Sequence, residues 1–342
     1  MNATNNRTVQ NPKTLLEATR YFADLDNAHK YLVGLRWADG VCCPRCGSTH
    51  VSFVSTRRIW KCLNCPGHKQ FSAKTGTIME ESPLSLDKWM VAIWLEANSK
   101  NSISSYELHR ALGITQKSAW FVLHRVRAAL KSGSLEKMGG NGGIVEADET
   151  YVGGLAKNMH PAVRRRKISG SGGKAEANNK TAVMGLLDRH STKPHSTVRA
   201  QVVQNVQRET LHSIIHKNVN PGSALYTDAW QPYRQLDPKF IHEFIDHAEG
   251  YVRGAVHTNG IENFWALFKR CIKGTHVSVE PFHLEAHVDS EAFRFNNREL
   301  NDGGRFVTAM KGIEGKRLTY KQLTGKIDPE GLSESASAGV NA

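Results

Sequence analysis

Cys43-Pro-Arg-Cys46 and Cys62-Leu-Asn-Cys65 are two Cys-x2-Cys pairs with 15 residues between them. Each pair suits a tight knuckle turn, and four thiolates close a tetrahedron around one Zn²⁺. The rival reading, two disulfides, is disfavoured by a reducing cytoplasm. Four cysteine ligands leave no open position, so the zinc is expected to be structural. Gly47 and Gly67 supply flexible backbone after the knuckles. Val51-Ser-Phe-Val54 and Arg58-Ile-Trp-Lys61 read as short strands, and Phe71 to Ile78 as the closing strand and exit. A zinc ribbon is therefore expected over 31–78. Six cysteines occur in all. Cys42 is the spare thiol, although its choice against Cys43 stays open here. Cys271, alone on a predicted helix, reads as a small buried apolar residue.

Before the ribbon, residues 1–30 form a polar leader with a short helical stretch, Thr14 to Phe22. After it, from Ser85, the apolar period becomes helical through Leu86, Met90, Ile93 and Trp94. Ser102 to Leu112, a break at Gly113, and Ile114 to Leu130 then read as helix, turn, helix, with Thr115 capping the second. Trp120, Leu123 and Val126 suit a core; Gln116, Lys117, Arg125 and Arg127 are expected to face out. No acid occurs from Ile114 to Leu130. Such a helix can enter a major groove, where Arg, Lys and Gln meet phosphates and base edges. A plain helical hairpin with a solvated basic face is the alternative; the neighbouring ribbon favours DNA. The helix-turn-helix region spans 79–135.

A Gly-rich linker, 136–143, precedes a mixed α/β pattern over 144–305. Strands are expected at Ile144–Val152, Lys180–Asp188, Thr197–Val203 and Ala224–Asp228, with helices at Glu209–Val219 and Thr258–Ile272. Residues 306–342 form a C-terminal tail, Ser/Gly/Ala-rich beyond about 326.

Three acids stand out in this half. Asp148 lies on the first strand, Asp228 ends the fourth, and Glu262 lies in the first turn of the last helix. A charged carboxylate in an apolar setting must be paired or hold a cation. Three that converge suit two Mg²⁺ or Mn²⁺ ions clamping an in-line phosphoryl transfer. Each acid also has a bland reading. Asp148 can pair with an arginine, Asp228 can cap a helix, and Asn259-Gly-Ile-Glu262 has capping-box spacing. Ile261, Phe264, Leu267, Phe268 and Ile272 mark the apolar stripe of the helix. Glu262, Lys269 and Lys273, at i, i+7 and i+11, lie on another face, where the ammonium groups can meet phosphate.

Composition frames these motifs. The chain has 342 residues, 39% hydrophobic and 23% charged, which excludes a disordered chain, a collagen or a disulfide mini-protein. No apolar run is long enough for a membrane span, and the N-terminus lacks the apolar core of a secretory signal. A cytoplasmic protein with no membrane partner and no small-molecule substrate is expected. The net charge of +13 points to a polyanionic partner.

Taken together, the ribbon, the segment Phe71-Ser-Ala-Lys-Thr-Gly-Thr-Ile78-Met-Glu-Glu-Ser-Pro83, the strand Val145-Glu-Ala-Asp-Glu-Thr-Tyr-Val-Gly-Gly154 and His257-Thr-Asn-Gly-Ile-Glu-Asn-Phe-Trp265 with Lys269-Arg270 resemble the bacterial insertion-sequence family numbered 1595. The resemblance covers roughly residues 15–300. It implies a DDE-type transposase with an RNase H-like catalytic core, acting on double-stranded DNA at element ends and target; joining two ends argues for a homodimer or higher assembly on DNA. It implies that Asp148 and Asp228 bind the catalytic metals and that the third acid falls in the Thr-Asn-x-x-Glu segment. Asn259 and Asn263 are rivals to Glu262, which is preferred because a carboxylate suits a hard cation better than an amide. Lys269 matches the family's basic residue. Less typical is the basic stretch Lys157 to Lys174, in which Arg164, Arg165, Arg166 and Lys167 read as phosphate-seeking. Two other classes remain in view: a non-catalytic zinc-dependent regulator derived from a transposase, and a nuclease or resolvase on the same fold.

Overall fold

The computed structural model describes residues 11–67, 69–133, 136–140, 142–153, 180–189, 194–228, 231–233, 236–245 and 256–326. They divide into two compact units. The first draws on 11–99, 103–130 and 300–326, the second on 100–102 and 131–299.

The first unit opens with two capped helices, α1 (Leu15–Ala23) and α2 (Leu25–Arg36). The Thr14 hydroxyl accepts from the Glu17 amide, and the Asp24 carboxylate from the Asp26 amide. The polar leader of the sequence reading is thus helical from Leu15, and α1 and α2 together bury Ala18, Phe22, Ala28, Tyr31 and Leu32. A three-stranded antiparallel sheet follows, β1 (Val51–Val54), β2 (Ile59–Cys62) and β3 (Gln70–Ser72), in that order. Next come α3 (Leu86–Asn98), α4 (Ser105–Leu112) and α5 (Gln116–Leu130). A capping box from Ser104 and Glu107 starts α4, and Gly113, at φ +61°, ends it in the left-handed region that glycine adopts without strain. Thr115 accepts from the Ser118 amide and starts α5.

The chain returns to this unit at its far end. Residues 302–305, read as the end of the α/β pattern, and part of the stretch read as a tail form α9 (Asp302–Lys311) and a short α10 (Tyr320–Leu323). Phe306, Ala309, Met310 and Ile313 recur at helical spacing and are fully buried. The Phe306 ring lies 5.2 Å from Trp94, 5.6 Å from Phe22 and 5.9 Å from Tyr31. Beyond the helix, the Ile78 amide donates to the Ile313 carbonyl and the Gly315 amide to the Gly76 carbonyl. The core is therefore closed by residues more than 200 positions from those they meet.

The second unit is a mixed five-stranded sheet, β4 (Ile144–Val152), β5 (Thr181–Asp188), β6 (Thr197–Val203), β7 (Ala224–Asp228) and β8 (Ile241–Ile245), in the order β6-β5-β4-β7-β8. The pairs β4–β5 and β5–β6 are antiparallel, whereas β4–β7 and β7–β8 are parallel. Strand alternation sorts the core into two layers. Val145, Ala147, Met184, Leu186 and Leu225 meet Leu211 and Ile215 of α6 (Arg208–Asn218) on one face. Val183, Leu187 and Val198 meet α7 (Asn259–Cys271) and α8 (Pro281–Asn296) on the other. Gly185, mid-strand in β5, makes room for α7: a Cβ there would lie 2.6 Å from the Trp265 ring. Among the described residues, no helix is long and apolar enough to cross a membrane.

Candidate functional site

The four cysteines meet. The sulfurs of Cys43, Cys46, Cys62 and Cys65 all lie within 4.8 Å of one another. Cys43–Cys65 and Cys46–Cys62 are 3.6 Å apart, and Cys46–Cys65 3.3 Å. A tetrahedron with Zn–S bonds of about 2.3 Å places its sulfurs roughly 3.8 Å apart, so the donor set fits zinc in chemistry and in size. Cys42 stands outside the cluster, which settles the choice between it and Cys43. The first knuckle closes through the Gly47 amide on the Cys43 carbonyl, 2.8 Å, with Gly47 at φ +72°. Cys271 is buried and in no disulfide, and its sulfur accepts from the Arg294 guanidinium at 3.8 Å.

In the second unit, sheet register gathers the acids. Glu146 pairs with Tyr226 across the parallel β4–β7 ladder. Asp148 and Asp228 each lie two residues further on and share the face on which α7 packs. Asp148 Oδ2 accepts from the Trp265 indole Nε1 at 3.0 Å. Burial pushes its carboxyl up to about 6; the charges of Asp228 and Glu262 add to the shift, against hydrogen bonds from the Glu149 amide and Trp265.

Glu262 is exposed in the first turn of α7, and its Oε1 accepts from the Thr258 hydroxyl at 2.8 Å. The capping-box alternative does not form. The helix starts at Asn259 with Thr258 as its cap, and the Thr258 side chain makes no capping hydrogen bond to the helix backbone. Asn259 and Asn263 are exposed beside it. The acids stand further apart than the thiols: among the described residues, only the cysteines bring three or more Cys, His, Asp or Glu ligand atoms within 4.8 Å of one another.

Lys269 is exposed two turns along α7. Lys273 is displaced from the expected line of charges, because α7 ends at Cys271 and residues Ile272–His276 form a π-turn.

Two groups at this end of the sheet escaped the sequence reading. On the opposite face of β4, Glu149 accepts from the Tyr233 hydroxyl. Burial pushes Glu149 up to about 8, assisted by the charges of Asp148 and Asp228. On the same face as Asp148, fully buried Glu146 bonds Arg189 and the Ile261 amide. The period of two in Val145 to Tyr151 was its available signal, since positions 146 and 148 must share a side.

The expected DNA contacts divide. Lys117 is exposed, with its ammonium 5.1 Å over the Tyr320 ring, and Gln116 is half-buried, donating to Ser105 Oγ at 2.9 Å. Arg125 and Arg127 do not face out; they are 4% and 3% exposed. Arg127 Nε meets Glu96 Oε1 at 2.9 Å, and Glu96 is itself fully buried. Arg125 donates to the Glu80 carbonyl and lies over the rings of Trp89 and Phe121. The physical reason is enclosure: from Ala119 to Leu130 most of α5 is buried inside its unit, leaving its first turn open. Arg164, Arg165, Arg166 and Lys167 lie outside the described residues.

Known protein families match two stretches of the chain. Residues 141–296 match the ISXO2-like transposase domain and residues 24–68 the transposase zinc-ribbon domain. Similar proteins include an "uncharacterized protein in transposable element ISH50" of Halobacterium salinarum, 27% identical over 294 residues, which cover 83% of this chain and 94% of that one. Another is an "uncharacterized transposase-like protein" of Haemophilus influenzae, 37% identical over 100 residues, covering 29% of this chain and 80% of that one.

Proposed function

The chain belongs to the transposases of insertion-sequence family 1595, and we propose on that premise that it binds its element's ends and cuts and rejoins DNA at a DDE-type site formed by Asp148, Asp228 and Glu262. The observation that carries the reading is the setting of Asp148. It is a largely buried carboxyl, answered by a neutral indole, with two further acids raising its pKa. Such an arrangement disfavours its own charge until a cation arrives. Hard oxygen donors suit Mg²⁺ or Mn²⁺, and the three acids would hold two such ions. When bound, these ions supply Lewis-acid polarisation of the phosphoryl group and neutralise charge on the attacking and leaving oxygens.

The chain's own residues supply position. The β4 and β7 strands hold Asp148 and Asp228 at one end of a mixed sheet, which supports an RNase H-like core. The Trp265 indole orients Asp148, and the Thr258 hydroxyl orients Glu262. Lys269 offers an ammonium to a phosphate two turns along the same helix. Water attacks a phosphodiester at the element end, breaking the P–O3′ bond and freeing a 3′-hydroxyl. That hydroxyl then attacks a target phosphodiester and displaces its 3′ oxygen. Neither step needs a covalent protein–DNA link, so no Ser or Tyr nucleophile is required.

DNA is held elsewhere. The ribbon and the first turn of α5, with Gln116 and Lys117, read the ends, and the basic stretch around Arg164 to Lys167 adds phosphate contacts. Joining two ends calls for at least a dimer on DNA. The test uses oligonucleotide duplexes carrying the inverted repeats that flank the gene. Asp148→Asn, Asp228→Asn and Glu262→Gln each abolish cleavage and strand transfer in Mg²⁺ or Mn²⁺ while end binding persists. Strand transfer by Asp148→Asn overturns the assignment.

A further inference from the structure

Glu146 stands two residues before Asp148 on β4, about 6.6 Å along the strand, and is fully buried. Its carboxylate reaches in two directions. Oε2 accepts the backbone N–H of Ile261 at 2.8 Å, one of the open donors in the first turn of α7. Oε1 accepts Nε of Arg189. The same guanidinium donates to the His257 carbonyl, just ahead of that helix, and lies 5.2 Å over the Tyr226 ring. Gly260 records how closely helix and strand approach: a Cβ there would stand 2.9 Å from both carboxylate oxygens. Any side chain at 260 would press on that carboxylate and disturb its bonds.

One fully buried carboxylate thus joins the strand of the first acid to the residue next to the third. We propose that Glu146 and Arg189 form a clamp that fixes Glu262 relative to Asp148, making Glu146 a positioning residue on which divalent-ion affinity depends. The proposal rests on the reading of Asp148, Asp228 and Glu262 as an ion site. Buried ion pairs are weak sources of net stability compared with apolar packing of the same volume, whereas they fix geometry well. Groups that orient metal ligands are worth roughly 10–100-fold in affinity or activity.

The test is Mn²⁺ binding by calorimetry on the zinc-loaded full chain, alongside Mn²⁺-dependent cleavage and thermal melting. Glu146→Gln keeps an acceptor for Ile261 and loses the charge opposite Arg189. It is expected to weaken Mn²⁺ binding at least tenfold and to raise the half-saturating Mn²⁺ for cleavage in parallel, with most of the maximal rate recovered at high Mn²⁺. Unchanged Mn²⁺ affinity in a folded variant overturns the clamp, as does a rate loss that no Mn²⁺ concentration restores. If Glu146→Gln fails to fold, E146Q/R189Q, which leaves no lone buried cation, decides in the same way. If that also fails to fold, the pair is purely structural and the proposal falls. Asp148→Asn is the control: if it leaves Mn²⁺ binding intact, the ion-site reading fails, whatever Glu146→Gln does.

Discussion

Replacing Arg127 with alanine separates two roles that a basic residue on a DNA-binding helix can have. The side chain is 3% exposed and its Nε lies 2.9 Å from Glu96 Oε1, with Glu96 fully buried. At an effective dielectric of about 20, that separation corresponds to an attraction of roughly 6 kcal/mol before desolvation is subtracted. Removing the arginine alone takes the cation of a buried ion pair away from its carboxylate, which costs about 3–5 kcal/mol. For a unit of this size the melting temperature should fall by roughly 10 °C. Tryptophan fluorescence suits the measurement, because Trp37, Trp60, Trp89, Trp94 and Trp120, five of the seven tryptophans, lie in the first unit. Replacing both partners with apolar residues, E96L/R127M, should recover most of the loss. The salt dependence of end binding supplies the second readout. A phosphate contact contributes a slope of about −0.9 in log K against log salt, and R127A should leave that slope unchanged. An R127A protein that melts within about 1 °C of the parent and loses one unit of slope would refute the reasoning.

Three further outcomes follow from the geometry. Substituting Cys62→Ser should remove the one zinc per chain measured by metal analysis and open the ribbon, exposing Trp60, which packs on Phe71 at 5.8 Å; full zinc retention would contradict the four-thiolate site. Asp148, held up to about 6 from an ordinary 3.8, stabilises the ion-free fold fully below pH 4 and loses that contribution as pH rises through 6. Asp148→Asn, always neutral, should therefore melt above the parent at pH 7.5 without divalent ions and match it at pH 4, by scanning calorimetry at both. Gly185→Ala should displace the Trp265 ring, which a Cβ would approach to 2.6 Å, and weaken the indole–Asp148 bond; a loss of roughly 1–3 kcal/mol together with slower cleavage is expected, and a parental cleavage rate would sink the claim.

The cysteine cluster and the strands beside it were legible because ligand spacing and strand alternation are local properties of the chain. Asp148, Asp228 and Glu262 could be singled out in the sequence because they lie within a strand, at the end of a strand and in the first turn of a helix, each with a clear period. Their common end of the sheet comes from the parallel β4–β7 register, which spacing along the chain does not reveal. Arg125 and Arg127 were assigned outward by counting from Leu123 and Val126. That count presumes one open face, and α5 has almost none beyond its first turn. The enclosure is tertiary and arises partly from residues near position 310: the Ala129 carbonyl lies 2.2 Å from where a Gly312 Cβ would stand. Glu146 drew no reading of its own from the sequence; its meaning lies in Arg189 and Ile261, 43 and 115 positions away.

The return of residues 300–326 to the first unit also sets an order of assembly. On a ribosome the ribbon and its helices emerge early, yet Phe306, Met310 and Ile313, which seal their shared core, are made after the whole acidic sheet. Maturation of the first unit must wait until the second has been synthesised, contrary to the usual front-to-back sequence. A product terminated before Phe306 would lack that seal, so the first unit completes its core only in chains that already carry the second.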